Sequence, residues 1–158
     1  MKKITKVLLF ILGIVFFFAC KKEEIIQAEL DKEVRVPFPV NDGTFNISFE
    51  TFAPSTYLKD FDKRDYPGVD SITFICSLLS GNLSDTAYVR LYNVTDSSII
   101  DNTLLAAATP LSTYVVVQTN NIFNMLPDKK IDLAIQAKSS DKNNYIIVAS
   151  AFLKLRRN

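Results

Sequence analysis

Histidine is absent from the sequence, and so is tryptophan. Without histidine the chain lacks imidazole general bases, Ser-His and Cys-His catalytic pairs, and the commonest zinc ligand. The sequence also contains no nucleophile elbow, no phosphate-binding glycine loop and no pair of metal-binding cysteines. We therefore expect that the protein is not an enzyme and that it uses no cofactor.

An excess of charge of one sign is also missing. The sequence has 18 Lys and Arg against 17 Asp and Glu, for a net charge of +1, and the basic residues form no cluster. Such a chain has no electrostatic reason to bind nucleic acid. Its 158 residues are 48% hydrophobic and 22% charged, which is too apolar for intrinsic disorder and long enough for one domain.

Residues 1–20 differ in composition from the rest of the chain. Lys2, Lys3 and Lys6 precede an apolar run over residues 7–19, which is followed by Cys20. A helix of that length spans about 20 Å, whereas the hydrocarbon core of a bilayer is about 30 Å thick. This layout is typical of a cleaved signal peptide rather than of a transmembrane helix.

The end of this segment, Phe17-Phe18-Ala19-Cys20, resembles the lipobox of bacterial lipoprotein precursors. Ala19 and Cys20 match that motif, whereas Phe17 replaces the usual Leu and Phe18 replaces the usual small residue. The resemblance implies that residues 1–19 are removed and that Cys20 carries diacylglycerol and acyl groups such as palmitate. Each buried methylene of an acyl chain contributes about 0.8 kcal/mol, so two or three chains anchor a protein stably to a membrane.

The charged tetrapeptide Lys21-Lys22-Glu23-Glu24 follows that cysteine. It resembles the charged export signals that send Bacteroidetes lipoproteins to the cell surface, although a solvated spacer is the alternative interpretation. Lys21 occupies the position of the acidic residue that retains lipoproteins in the inner membrane of enteric bacteria. Because that acidic residue is missing here, the comparison with lipoproteins favours residence in the outer membrane. We interpret residues 20–33 as the lipidated cysteine and a tether, and residues 34–158 as one domain.

Removal of residues 1–19 takes away three Lys and no acid, so the mature chain is mildly acidic. With Cys20 acylated, Cys76 is the remaining thiol, and no intramolecular disulfide is expected. Cys76 lies in the apolar run of residues 72–78, where a thiol is usually an unreactive core residue.

Strand signals dominate residues 34–158, because short β-branched and aromatic runs alternate with turn residues. Pro37 and Pro39 predict that the first strand lies at a sheet edge. Phe45, Ile47 and Phe49 recur at period two after an Asn-Asp-Gly turn, which predicts a hairpin. The predicted strands cover residues 34–40, 45–50, 69–79, 86–94, 99–105, 113–119, 131–138 and 145–155.

Eight short strands without an amphipathic helix predict an all-β antiparallel sandwich, and that number favours a jelly roll over an immunoglobulin-like fold. Residues 87–96, 126–128 and 133–138 resemble the strand motifs of jelly-roll modules in bacterial secreted and phage proteins, several of them similar to carbohydrate-binding modules. The resemblance implies the fold and carries no binding residue with it.

Two groups of side chains are candidate binding sites. Asp60, Asp62 and Asp65 could supply carboxylate oxygens to calcium from one loop, although neighbouring basic residues make a solvated charged loop the alternative. The tyrosines in or beside predicted loops could form a ring platform for sugars, in a chain that lacks the usual Trp; they are Tyr57, Tyr66 and Tyr114.

Tyr88 and Tyr92 share one face of a predicted strand, because they are four residues apart. We expect at least one of the two to pack in the core.

Two triplets, Asp70-Ser71-Ile72 and Asp85-Thr86-Ala87, match the short motif at which Bacteroidetes O-glycosylate exported proteins. Ser71 and Thr86 are therefore candidate glycosylation sites, and ordinary turn chemistry is the alternative.

Taken together, these features predict a lipid-anchored β-sandwich at the outer membrane that binds a glycan or a protein ligand. The alternative is a periplasm-facing accessory lipoprotein that pairs an edge strand with a partner in an envelope complex. A hydrolase is the third hypothesis, and it would need two convergent carboxylates.

Overall fold

A computed structural model describes residues 32–110 and 112–157, and the secondary structure there is strand with three single turns of 3-10 helix. The strands in chain order are β1 (Glu33–Phe38), β2 (Asp42–Thr44), β3 (Glu50–Thr51), β4 (Leu58–Phe61), β5 (Val69–Leu79), β6 (Ala87–Asn93), β7 (Ser98–Ile99), β8 (Leu105–Ala107), β9 (Val115–Gln118), β10 (Ile131–Ser139) and β11 (Ile146–Arg157). The predicted signal peptide, Cys20 and nearly all of the tether lie outside the described residues. Within the described part, no helix is long and apolar enough to span a membrane.

The strands form two antiparallel sheets. The first sheet has the order β1-β11-β5-β9, with β2 also paired to β11. The second sheet has the order β3-β10-β6-β7, with β4 also paired to β10 and β8 to β6. Three pairs of short strands each lie along the same neighbouring strand: β1 and β2 along β11, β3 and β4 along β10, and β7 and β8 along β6. Each pair is therefore one strand with an interruption.

Counted in this way, the chain has eight strand positions among the described residues, four in each sheet. Numbered along the chain, they run 1-8-3-6 in the first sheet and 2-7-4-5 in the second. This is the strand order of a jelly roll, which confirms the predicted fold. The interrupted strand of β1 and β2, with Pro37 and Pro39, lies at the edge of its sheet, as predicted.

The predicted hairpin, with its turn at residues 41–43 and its second strand over residues 45–50, is wrong. Residues 45–49 form a loop, and Phe45 and Ile47 are 54% and 57% exposed. The predicted turn instead contains β2, where Gly43 pairs with Ile147 and a β-carbon at Gly43 would collide with the backbone of Ile146. The period-two pattern was misleading because Phe45 packs on the ring of Tyr145, with centroids 4.6 Å apart, and contributes nothing to the core.

Two further segments differ from the prediction. Residues 99–105, predicted as one strand, are the end of β7 and the start of β8, separated by a turn in which Asn102 has a φ of 59°. The stretch before Val69, predicted to be irregular, contains β4, which pairs with β10 through Leu58 and Phe61.

The core lies between the inner faces of the two sheets. Its fully buried large side chains come mostly from the four central strands and include Ile72, Phe74 and Leu78 of β5, Val89 and Leu91 of β6, Leu133 and Ile135 of β10, and Leu153 and Leu155 of β11. Cys76 belongs to this core at 1% exposure, as predicted, and its burial raises the pKa of the thiol to about 12.

Four loops meet at one end of the sandwich, which we call the distal end: residues 45–49, 80–86, 108–110 with 112–114, and 140–145. Ser80 and Thr109, both fully buried, hold two of these loops together by exchanging hydrogen bonds. The Ser80 backbone N–H donates to Thr109 Oγ1 at 2.8 Å, and the Thr109 N–H donates to Ser80 Oγ at 2.7 Å. Asn144 Nδ2 donates to the Ser80 carbonyl and ties in a third loop.

Replacement of Thr109 by Val should lower the free energy of unfolding by about 1–3 kcal/mol, because the buried Ser80 N–H loses its acceptor. Thr109→Ser retains the hydroxyl and should cost only about the 0.8 kcal/mol of one buried methyl group. Urea unfolding of the full-length protein followed by circular dichroism measures both values. Equal losses in the two variants would contradict a role for the hydroxyl.

Candidate functional site

The three tyrosines predicted to form a platform do not come together. Tyr114, 49% exposed, precedes β9 at the distal end. Tyr66 follows β4 at the opposite end of β5. It is half-buried there and stacks on Phe61, with the two ring centroids 6.0 Å apart. Since β5 has 11 residues, about 36 Å of strand separates the two ends. Tyr57 is half-buried beside β4, on the second sheet.

Another set of aromatic side chains lies on the outer face of the second sheet. In β6, Ala87, Val89, Leu91 and Asn93 point inward and are buried, so the residues between them point outward. These are Tyr88, Arg90 and Tyr92, each half-buried. The expectation that at least one of the two tyrosines packs in the core is therefore wrong, because burial of Val89 and Leu91 places both on the outside.

The adjacent strand β10 completes this surface, which we call the tyrosine face. Across the two strands, Lys138 pairs with Tyr88, Gln136 with Arg90, and Ala134 with Tyr92. Ala134 is fully buried although it does not belong to the core cluster, so larger neighbours cover it on the outer side. Leu58 pairs with Leu133, and this register brings Tyr57 to the level of Ala134, across from Tyr92.

A row of polar groups crosses the middle of the tyrosine face. Arg90 Nε donates to Gln136 Oε1 at 2.8 Å, and Gln136 Nε2 donates to Thr51 Oγ1 at 2.9 Å. Since Gln136 is only 8% exposed, these bonds determine the orientation of its amide. The row therefore presents hydrogen-bonding groups in a defined arrangement between tyrosine rings on either side.

Phe49 packs above two cations of this surface. Its ring centroid lies 3.8 Å from the Arg90 guanidinium carbon and 5.2 Å from Lys138 Nζ. Lys138 Nζ is also 4.9 Å from the ring of Tyr88. Burial lowers the pKa of Arg90, because the charged guanidinium is partly removed from water.

Sequence reasoning missed Arg90, Gln136, Thr51 and Phe49 as members of a site. The alternation of Tyr88, Arg90 and Tyr92 along one strand was the signal that could have revealed Arg90. Gln136 and Thr51 could not be found in this way, because they come from strands far away in the chain and meet only through the register of β10 with β3.

The three aspartates considered for calcium do not converge. The Asp62 carboxylate is occupied by Arg64, whose Nη2 and Nε donate to Oδ2 at 2.6 and 3.1 Å. Asp60 is exposed, and its backbone N–H donates to Asp132. In residues 32–110 and 112–157, no group of three acidic, Cys or His side chains is placed to hold a metal ion. The aspartates therefore do not fit a calcium site.

The end of the sandwich opposite the distal end contains a buried lysine, Lys63. Lys63 Nζ donates to the carbonyls of Phe123 and Leu126 at 3.0 and 2.6 Å and forms an ion pair with Asp128 at 3.0 Å. These bonds join the loop after β4 to the loop before β10. Lys63 thus has a structural role, because its ammonium group is bound by carbonyls and a carboxylate of the neighbouring loop.

The candidate glycosylation sites are both half-buried. Ser71 lies within β5, opposite Arg156 of β11. Thr86 precedes β6 at the distal end, where its backbone N–H and carbonyl are hydrogen-bonded to Ser140. Modification of either hydroxyl stays a prediction.

No family model matches this sequence, and no curated protein matches it. Among solved structures, the chain is similar to the carbohydrate-binding module CBM6cm-2 of Cellvibrio mixtus lichenase 5A, solved with cellotriose, at 11% identity and a TM-score of 0.37 over 79% of this chain and 97% of that one. It is also similar to the xylan-binding module CBM15, at 11% identity and a TM-score of 0.45 over 80% and 97%. A third is the CBM36-1 domain of a xylanase from the hindgut metagenome of Trinervitermes trinervoides, at 10% identity and a TM-score of 0.42 over 80% and 98%.

The Asp62 carboxylate should stabilise the fold in a pH-dependent manner. Hydrogen bonds from Arg64 lower the pKa of Asp62 from 3.8 to about 2, so its contribution is complete above about pH 4 and is lost as the pH falls towards 2. Urea unfolding should show a stability difference between the wild type and Asp62→Asn that shrinks over this range. A difference that does not change between pH 5 and pH 2 would contradict the assignment.

Proposed function

We propose that this protein is a lipid-anchored glycan-binding module whose ligand binds on the tyrosine face. The observation that carries the proposal is the combination of half-buried tyrosine rings with the hydrogen-bonded row of Thr51, Gln136 and Arg90. Sugar rings have apolar C–H faces that pack on aromatic rings, and their hydroxyls need placed hydrogen-bonding partners. The tyrosine face offers both on one sheet surface.

The proposed activity is binding without hydrolysis. Glycoside hydrolysis requires two carboxyl groups about 5–9.5 Å apart on either side of the scissile bond. The central row of the tyrosine face consists instead of a hydroxyl, an amide and a guanidinium. These groups orient a ligand, and none of them is the carboxylic acid or carboxylate that glycosidases use.

The proposed anchor is Cys20, whose acyl chains would hold the domain at the outer membrane, with the domain on the cell surface. Support for this location comes from the lipobox-like residues and from the charged tetrapeptide that follows them. A binding module on the cell surface would meet polysaccharides before they enter the periplasm.

Loss of Tyr88 or Tyr92 by replacement with Ala should weaken polysaccharide binding by about tenfold each, which corresponds to about 1.4 kcal/mol. Affinity electrophoresis of the full-length protein in detergent, through gels with xylan, mixed-linkage glucan or polygalacturonate, measures the effect. Retardation by at least one polymer is expected.

Tyr114→Ala is the matched control, because Tyr114 is an exposed tyrosine on the distal end and should not affect binding. Circular dichroism verifies that each variant is folded. Absence of retardation in every gel, or an equal loss in the Tyr114 variant, would contradict the tyrosine face as a glycan site.

Replacement of Cys20 by Ala should move the protein from the membrane fraction to the soluble fraction, since the thiol that accepts the lipid is gone. Cell fractionation and immunoblotting measure the shift. Retention in the membrane fraction with the signal segment intact would contradict lipidation.

Protease shaving of intact wild-type cells should digest the domain, because the proposal places it on the cell surface. A known periplasmic lipoprotein is the protected control.

A second candidate function is the accessory role, in which an edge strand pairs with a partner in an envelope complex. The observation that favours it is β9, the free edge of the first sheet, which contains no charge or proline and exposes 69% of Val116. Such an edge lacks the usual protection against pairing with another strand. Protection of the domain from protease until the outer membrane is opened would favour this role.

A further inference from the structure

The two cations of the tyrosine face share one aromatic ring. Phe49 lies 3.8 Å from the Arg90 guanidinium carbon and 5.2 Å from Lys138 Nζ, measured to the ring centroid. The two positive charges are therefore close neighbours on one surface. Arg90 uses Nε to bind Gln136, so the terminal nitrogens of its guanidinium are the donors left to meet a ligand.

Neither cation has an acidic partner among the described residues, in contrast to several cations elsewhere in the fold. Arg35, Lys63, Arg64 and Lys129 each form an ion pair with a carboxylate. Arg90 and Lys138 interact instead with aromatic rings and with the neutral amide of Gln136.

The acidic residues nearest to Arg90 and Lys138 along the paired strands accept hydrogen bonds from other groups. Glu50, which pairs with Ala137, accepts hydrogen bonds from Thr44 and Asn46 at 2.6 Å each. Asp132 lies four residues from Gln136 along β10, about 13 Å away, and accepts the Asp60 N–H. Neither carboxylate forms an ion pair with Arg90 or Lys138.

This arrangement is costly in the absence of a ligand. Two like charges repel each other, and a guanidinium that is partly shielded from water loses hydration without gaining a counterion. An aromatic ring returns only part of that free energy, about 0.5–2 kcal/mol for each cation. A bound anion would remove both costs, and a planar carboxylate matches the fork of donors on Arg90.

We propose that the ligand of the tyrosine face is an acidic polysaccharide, with the carboxylate of a uronic acid residue bound by Arg90 and Lys138. The inference rests on the proposed glycan-binding function and narrows its ligand class. Tyr88 and Tyr92 would contact the neighbouring sugar rings, and Gln136 and Thr51 would bind hydroxyl groups.

The test compares each of three uronate polymers, polygalacturonate, alginate and hyaluronan, with its own carboxyl-reduced product. The full-length protein should bind at least one uronate polymer, and reduction of the carboxyl groups should weaken that binding at least tenfold. Raising the salt concentration from 50 to 500 mM should also weaken it, because the Debye length becomes shorter. These measurements require no variant and therefore do not depend on how substitutions fold.

Variants then test whether Arg90 and Lys138 are the residues that bind the carboxylate. Arg90→Gln and Lys138→Gln should each lower the affinity for the uronate polymer by about tenfold and leave binding to the reduced polymer nearly unchanged. Arg35→Gln is the matched control, because Arg35 also lies over an aromatic ring, Phe152 at 5.3 Å, but on the first sheet. This variant should bind like the wild type.

Two outcomes would overturn the inference, and they differ in what they mean for the glycan-binding function. Equal binding of the native and reduced polymers, or unchanged affinity in both the Arg90 and Lys138 variants, would reject the acidic ligand and leave the glycan site in place. Absence of binding to every polymer, native or reduced, would reject both proposals.

Discussion

Burial of one side of β6 and β10 against the first sheet is the constraint on which the proposed site depends. Val89 and Leu91 of β6, with Leu133 and Ile135 of β10, are completely buried between the sheets. Side chains alternate along a strand, so every residue between these positions must face outward. The burial of these core residues thus determines that tyrosines, cations and an amide lie on one exterior surface.

The two ends of the sandwich differ in chemistry. The distal end exposes large apolar side chains on each of its four loops; they are Phe45, Ile47, Leu83, Tyr114 and Tyr145. The opposite end, where β1 begins, carries the ion pairs of Lys63, Arg64 and Lys129. Hydrogen bonds between loops hold each end, and the tyrosine face lies on the sheet between them.

The fold was more predictable than the site. Long strands such as β5 and β11 follow from the β-branched and aromatic residues that recur along their 11 and 12 residues. The hairpin at Phe45, Ile47 and Phe49 failed because an exposed ring contact produces the same period-two pattern as a buried face. Among the predicted platform tyrosines, Tyr57 alone lies beside the tyrosine face.

The sequence by itself determined the strand-rich character of residues 34–158, the all-β fold class and the burial of Cys76, since these follow from local alternation and apolar runs. Only the tertiary structure decided that Arg90, Gln136 and Thr51 form one hydrogen-bonded row, and that Phe49 covers two cations. The physical reason is that these contacts join residues that are 41 to 89 positions apart in the chain, and no local pattern encodes which of them become neighbours.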